Sequence, residues 1–252
     1  MDGVLSQEEI NALLNNNDAA DSSDEILTES EKDAIGEIAN ISMGTAATTL
    51  FSLVNRRVEI STPVVSFSNW DKIVDEYEKP CVFIKIGYTQ GLNGSNILVL
   101  KEKDVKIITD LMMGGDGTNI NGEIGELHLS AISEAMNQMM GSSATSLSSM
   151  LNRTIDISPP IAEVVDLKNT LNEGEIDSFL SEEFVKISFH MEIGDLVDSE
   201  IMQLYPPAFV KEMCKGVSQN MELDTQSVTE DVPQSSNPAT QAAPIQQPQD
   251  SG

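Results

Sequence analysis

The chain has 252 residues, of which 40% are hydrophobic, so it is long and apolar enough to bury a substantial core. Lysine and arginine total 14 against 41 aspartates and glutamates, and the formal net charge of -27 argues against binding to a nucleic-acid backbone. The N-terminus carries no basic segment followed by an apolar one, and no stretch is long enough to span a bilayer. These features predict a cytoplasmic protein without direct membrane insertion.

The sequence of residues 1–15 predicts a short amphipathic helix at positions 5–14. Ser6 is a suitable N-cap, Glu9 completes a capping box, and Leu5 can pack against Ile10. The apolar side of this helix is narrow and consists of Ile10, Leu13 and Leu14. A polar linker at residues 16–27 follows. Two interpretations remain open: a tethered docking peptide, or a helix that folds back on the main domain.

Residues 28–217 form one domain built from an internal repeat, with halves at about 28–115 and 125–217. Four positions of the first half recur in the second at one constant offset, and we call each set a stripe. The first stripe is Asp33, Glu37, Asn40 and Gly44; the second stripe is Ser130, Glu134, Asn137 and Gly141. The segments 55–63 and 152–160 match at the same offset.

Apolar alternation predicts strands at residues 82–86 and 96–100 in the first half and at 185–191 and 201–204 in the second. Amphipathic helices follow at 104–113 and 208–214. With a first strand in each of the matched segments 55–63 and 152–160, each half is predicted to contain a helix, three strands and a second helix. Two such halves give an α/β fold: a pseudo-two-fold sandwich whose helices pack on one shared, mostly antiparallel sheet.

Residues 218–252 are rich in Ser, Thr, Gln and Pro, which predicts a disordered linker. A linker normally connects two domains, so we expect that a further C-terminal domain is missing from this chain. The other interpretation is a solvating tail.

The spacing of each stripe, four, three and four residues, places its members on one helix face. Ile35 and Ile38 fall on the opposite face, which predicts that the helix buries its apolar side and exposes the stripe. Glycine within a helix costs about 1 kcal/mol relative to alanine, so Gly44 and Gly141 suggest close approach by a partner. A single polar stripe would be interpreted as the solvated surface of a helix. Because the stripe occurs twice with Glu and Asn at matched positions, a function is favoured.

A carboxylate and a carboxamide one turn apart supply neither a nucleophile with its base nor a set of metal ligands. A carboxamide both donates and accepts hydrogen bonds, so it can orient a water molecule in line with a phosphoryl group. The remaining candidates for chemistry are isolated in the sequence, and structural roles are expected for all of them: Cys81, Cys214, His128 and His190. The phosphoryl group and any metal would then have to arrive on another protein.

The two stripes resemble the motif of the CheC family of chemotaxis phosphatases, in which Asp or Ser is followed by Glu and then Asn at this spacing. The resemblance implies that Glu37 and Glu134 contact the phosphorylated regulator CheY. It also implies that Asn40 and Asn137 orient the water that attacks the aspartyl phosphate of CheY. The other stripe residues would have supporting roles: Asp33, Ser130, Gly44 and Gly141. No cofactor is expected in this chain, and Mg²⁺ is expected on CheY.

The N-terminal helix resembles the peptide with which flagellar switch proteins capture phosphorylated CheY. Its docking residues would be Leu5, Ser6, Glu9, Ile10, Leu13 and Leu14. This implies a switch protein of the C-ring, at the cytoplasmic face of the flagellar basal body, with FliM, FliG and FliN-type partners. The missing C-terminal domain would then be FliN-like.

Two other functions fit part of the sequence. A non-catalytic rotor scaffold like the FliM middle domain would share the fold and the peptide, but it would not require Asn40 and Asn137. An unrelated acidic interaction module would account for the charge, but not for the repeat or the peptide.

Overall fold

The computed structural model describes residues 26–77, 80–167 and 173–229, with side chains described as far as residue 219. The first half contains α1 (Glu29–Val54), β1 (Val58–Ile60), β2 (Val64–Ser68), α2 (Trp70–Glu76), β3 (Cys81–Gln90), β4 (Gly94–Lys101) and α3 (Glu102–Met112). The second half contains α4 (Glu126–Leu151), β5 (Asp156–Ile157), β6 (Ile161–Val165), two 3-10 turns (Glu173–Glu175 and Ser178–Ser181), β7 (Phe184–Ile193), β8 (Val197–Tyr205) and α5 (Pro207–Thr229).

The long helices α1 and α4 begin differently but end in the same way. Thr28 and Glu31 form a capping box at the start of α1, where the Thr28 hydroxyl accepts a hydrogen bond from the Glu31 N–H. Asn55 and Asn152 end the two helices in the left-handed conformation, with φ of 48° and 47°. They are the non-glycine residues with positive φ among those described, and asparagine tolerates this conformation better than most residues.

The sheet has the strand order β1-β7-β8-β4-β3-β5, with β2 also paired to β7 and β6 to β3. All of these pairings are antiparallel. The strands of the two halves meet at the β4–β8 pair, where Leu98 lies opposite Gln203. Matched strands therefore occupy matched positions on either side of this pair, and the predicted pseudo-two-fold sandwich is confirmed.

Alternating residues of the strands feed two hydrophobic clusters on opposite faces of the sheet. Val82 and Ile84 point to the larger cluster, which α1, α3, α4 and α5 cover. Phe83 points to the smaller cluster, which contains Trp70 from α2 and Leu180 from a 3-10 turn. The long helices that carry the stripes thus rest on the larger apolar face of the sheet.

Gln203 marks the approximate two-fold axis inside the larger cluster. Its side-chain amide lies 3.2 Å from Met43 Sδ of α1 and 4.0 Å from Met140 Sδ of α4. Met43 and Met140 are matched positions of the repeat, so equivalent points of the two helices converge on one side chain. Gln203 also accepts a hydrogen bond from the Tyr205 hydroxyl, at 3.2 Å.

The structure differs from the sequence prediction in three elements. Each half has four strands rather than three, because Pro63 and the pair Pro159 and Pro160 interrupt the first predicted strand. Helix α2 was not predicted. Helix α5 continues to Thr229, past the predicted boundary at residue 217, and neither proline nor glycine occurs between positions 217 and 229.

Candidate functional site

The first stripe lies on the outer face of α1, as its spacing predicts. Ile35 and Ile38 are buried against the sheet, whereas the side chains of Asp33 and Glu37 are exposed. Asn40, on the same face, is half-buried. The helix therefore presents a carboxylate and a carboxamide on the surface, one turn apart.

The second stripe has the same arrangement on α4. Ile132 and Ala135 are fully buried, Ser130 and Glu134 are exposed, and Asn137 is half-buried. Matched members of the stripes thus have the same accessibility, except that Gly141 is half-buried and Gly44 is exposed. The repeat in sequence corresponds to a repeat in surface geometry.

Helices α1 and α4 pack against each other, and the hydroxyls of Thr49 and Ser142 are 2.7 Å apart across their contact. Each stripe nevertheless belongs to one helix, and its members come together through helical spacing rather than through the tertiary fold. The domain thus carries two candidate sites, each on one face of a rigid helix.

The glycines of the stripes face open space. A Cβ atom added at Gly44 or at Gly141 would meet no other atom within 4 Å, apart from the helix's own neighbouring backbone. The packing of this domain therefore does not require glycine at either position. A requirement that arises when a partner approaches remains consistent with the geometry.

Gln138 was not predicted to belong to the second site, although it is four residues after Glu134 and so a neighbour on the helix surface. Its side-chain amide donates a hydrogen bond of 2.7 Å to the Glu134 carboxylate. Ile41 occupies the matched position in α1 and has no donor to offer Glu37. The two otherwise similar sites therefore differ next to their carboxylates.

The isolated cysteines and histidines lie outside the stripes. Burial raises the pKa of the Cys81 and Cys214 thiols to about 11, so both remain protonated at neutral pH. His128 Nδ1 accepts a hydrogen bond of 3.3 Å from the Gly125 N–H at the start of α4. His190 lies 3.1 Å from a Glu192 carboxylate oxygen on the same strand. These contacts fit the structural roles that the sequence predicts.

The described residues lack both a metal site and a membrane-spanning helix. In residues 26–77, 80–167 and 173–219, no three His, Cys, Asp or Glu side chains are grouped so that they could bind a metal ion. Every helix in the described part of the chain is too short or too polar to traverse a bilayer. The predicted docking residues lie outside the described residues: Leu5, Ser6, Glu9, Ile10, Leu13 and Leu14.

The chain has relatives of known type. The sequence model of the CheC-like family matches residues 31–67 and 127–164, and these two segments contain the two stripes. The flagellar motor switch phosphatase FliY of Bacillus subtilis is 47% identical over 218 residues, which cover 84% of this chain. The chain spans only 57% of the length of that relative.

Two other comparisons agree with this result. The CheY-P phosphatase CheC of Bacillus subtilis is 24% identical over 143 residues, covering 55% of this chain and 67% of CheC. The crystal structure of Thermotoga maritima FliY superposes with a TM-score of 0.70 and is 42% identical, covering 77% of this chain and 99% of that one. Nearly the whole of the Thermotoga structure is thus matched in fold and in sequence.

Proposed function

Because the chain belongs to the CheC/FliY family, we propose that it hydrolyses the aspartyl phosphate of phosphorylated CheY and so terminates the signal at the flagellar motor. The observation that carries this proposal is the pair of stripes, in which an exposed Glu and a half-buried Asn recur on matched helix faces. A surface that only needed to be solvated would require polarity, not the same two residues twice.

The chemistry follows from what these side chains can do. Glu37 or Glu134 forms an ion pair with a cation on CheY and fixes the orientation of the complex. Asn40 or Asn137 then holds a water molecule in line with the phosphorus–oxygen bond to the aspartate. Water attacks phosphorus, the phosphorus–oxygen bond to the aspartate breaks, the aspartate leaves as a carboxylate, and both protons of the water end on the inorganic phosphate. The carboxamide positions the water and takes no proton from it.

The metal that neutralises phosphoryl charge would be Mg²⁺ bound to CheY. The described part of this chain offers no cluster of ligands for such an ion. Each site is therefore half of an active site, and the acidic and phosphorylated half arrives on the substrate protein. This division fits the absence of a nucleophile from both stripes.

We further propose that the chain acts at the cytoplasmic face of the flagellar basal body, in the C-ring, with FliM, FliG and FliN-type proteins as partners. The name of the Bacillus subtilis relative, a motor switch phosphatase, supports this proposal. Residues 5–14 would bind phosphorylated CheY and raise its concentration near the two sites.

The test is the decay of phosphorylated CheY in the presence of the wild type, Asn40→Ala, Asn137→Ala and the double variant. Each single variant should keep one working site. In the presence of the double variant, phosphorylated CheY should decay no faster than it does alone. Ser52→Ala combined with Ser149→Ala is the matched control, since both serines are exposed on α1 and α4 away from the stripes. Wild-type activity in the double Asn variant would refute the proposed catalysis.

Deletion of residues 1–15 tests the docking role separately. The deletion should raise the KM for phosphorylated CheY while kcat at saturating substrate stays unchanged. An unchanged KM would show that the peptide does not capture the substrate.

A further inference from the structure

The surfaces beside the two stripes differ in hydrophobicity. Ile41 is 42% exposed and Phe51 is 47% exposed, so α1 displays two large apolar side chains next to the first stripe. The matched residues of α4 are Gln138 and Ser148. Helix α4 instead displays Leu127, which is 66% exposed, near its start. The apolar surface formed by Ile41 and Phe51 is therefore a property of the first half alone.

The exposed residues of α1 form a continuous surface with the stripe. Ile41 follows Glu37 by four residues, and Gly44 follows Ile41 by three, so these three positions are neighbours on the helix. Phe51 lies two turns beyond Gly44 on the same face. Glu37, Ile41, Gly44 and Phe51 therefore follow one another along one face of α1.

A groove of about 570 Å³ runs along this surface, between α1 and the edge of the sheet. Gly44 and Phe51 line it on the helix side, and His190 of β7 lines it on the sheet side. Glu59 and Glu192 also line the groove, and their carboxylates contact Arg57 and His190 respectively. We call Ile41, Gly44, Phe51 and His190 the docking surface.

The sheet side of the groove is also specific to the first half. Ser61 accepts a hydrogen bond from the His190 N–H and donates one to the His190 carbonyl, at 3.0 and 2.9 Å. Ser158 makes the same two bonds with Gly87, at 3.1 and 2.8 Å. His190 and Gly87 are therefore structural equivalents. Beside the second stripe's helix, the position that corresponds to His190 is a glycine and has no side chain.

The polar replacements in the second half are engaged within the domain. Gln138 donates to the Glu134 carboxylate, so this amide occupies an acceptor that Glu37 keeps available. The Ser148 hydroxyl donates to the Ala144 carbonyl at 2.8 Å and accepts from the Ile155 N–H at 2.9 Å. A partner that bound the second stripe would have to compete for Glu134 and would gain no apolar contact at Ser148.

We infer that the docking surface receives an apolar side chain of phosphorylated CheY with a lysine or arginine beside it, so that the first stripe binds this substrate more tightly than the second. The inference rests on the proposed function. The occupant is the same substrate protein because Gly44 belongs both to the stripe and to the groove, so a molecule seated at Asn40 reaches the groove one turn away. The exposed carboxylate of Glu37, four residues before Ile41, pairs with the basic neighbour.

Removal of well-packed apolar contacts at an interface weakens binding about tenfold or more. The contacts proposed here would be present in both the ground state and the transition state of hydrolysis. Their loss should therefore raise KM and leave kcat unchanged.

Kinetics of the single-site variants test this inference. Asn137→Ala leaves the first stripe working and Asn40→Ala leaves the second, and the KM of the first-stripe enzyme should be about tenfold lower. In the Asn137→Ala background, Ile41→Gln with Phe51→Ser should raise KM about tenfold and keep kcat within about twofold. The control is Ile161→Ser. Ile161 is an apolar residue of β6 that is 69% exposed, and its substitution should change neither KM nor kcat.

Equal KM values for the two single-site enzymes, or no effect of the double substitution, would refute the inference. Binding to CheY activated with beryllofluoride, measured by fluorescence anisotropy, separates this failure from that of the proposed function. If binding follows the pattern above but no variant accelerates phosphate release, the docking surface stands and the proposed catalysis does not. Circular dichroism spectra of the variants report whether each one is folded.

Discussion

Replacement of both stripe glycines by alanine should make the domain more stable and less active. A Cβ at Gly44 or Gly141 meets no other atom within 4 Å, so each substitution adds helix propensity without a clash in the free protein. The gain is about 0.5–1 kcal/mol per site, or about 1–2 kcal/mol together. For a domain of this size, the melting temperature should rise by about 2–4 °C per kcal/mol.

The same methyl groups should weaken the complex with the substrate. If α1 and α4 approach CheY closely at these glycines, a methyl group separates the two surfaces and raises KM about tenfold, an effect of about 1.4 kcal/mol. Thermal unfolding and steady-state dephosphorylation of one preparation measure the two effects side by side. Gly36→Ala is the matched control on α1, because its Cβ would make only an ordinary contact of 3.6 Å with Val65.

The two measurements refute different steps of the reasoning. A lower melting temperature would contradict the open space seen around both glycines. A higher melting temperature with unchanged KM would show that the substrate does not approach these positions closely. Loss of activity in Gly36→Ala as well would assign the effect to the helix rather than to the stripe.

Three further predictions concern stability and reactivity. Thr28→Ala removes the side-chain cap of α1 and should lower the free energy of unfolding in urea by about 1 kcal/mol. Because burial raises the pKa of Cys81 and Cys214 to about 11, only about one thiol in a thousand is ionised at pH 8. A disulfide reagent should therefore modify the folded protein at least about a hundredfold more slowly than the urea-unfolded chain. Burial alone would raise the pKa of Asp177, but the hydrogen bonds from Lys85, Ser95 and the Phe179 backbone, together with the charge of Lys85, outweigh this and hold the pKa below the usual range. That stabilisation is present above the ordinary pKa of about 3.9 and is lost as the pH falls through the lowered folded value, so Asp177→Asn should cost about 1 kcal/mol at pH 7 and progressively less as the pH falls below about 3.9.

The framework of the fold was predictable because the same sequence pattern occurs in both halves, so each half supports the prediction for the other. The periods of the strands and of the stripe helices predicted which side chains are buried, and Ile35 and Ile132 are each at most 1% exposed. The alternation of Val82, Phe83 and Ile84 predicted a strand, and the structure shows that successive residues feed opposite faces of the sheet. These signals are local, so they can be read without knowledge of the tertiary structure.

Features without a counterpart in the other half were harder to predict. Helix α2 is seven residues long, and the second half has 3-10 turns in its place, so the repeat gave no support for it. Its start is nevertheless marked by Asn69, whose side chain accepts a hydrogen bond from the Lys72 N–H. Gln203 could not be predicted to be buried, because the two methionines beside its amide lie on distant helices.

The candidate site was predictable in its residues but not in its asymmetry. Helical spacing placed Glu37 and Asn40 correctly on an exposed face. It could not show that Gln138 engages Glu134, since spacing identifies neighbours and not the rotamers that they adopt. The docking-surface residue His190 comes from the far end of the sequence, so only the folded structure brings it next to Gly44.

Comparison of the two halves distinguishes residues that the fold requires from residues that binding requires. Positions that hold the framework have kept matched geometry, as at the left-handed Asn55 and Asn152 that end the long helices. A position such as Ile41 makes no comparable contribution to the fold, since it is 42% exposed, yet here the halves differ in chemistry. Folding therefore explains the matched framework of the two halves but not the difference between the surfaces beside their stripes. If both stripes only needed to reach the same phosphoryl group, the exposed side chains of Ile41 and Phe51 would add a liability to aggregation without a gain. Their retention on α1 is accounted for when the first stripe also holds the substrate, while the second contributes hydrolysis at higher substrate concentration.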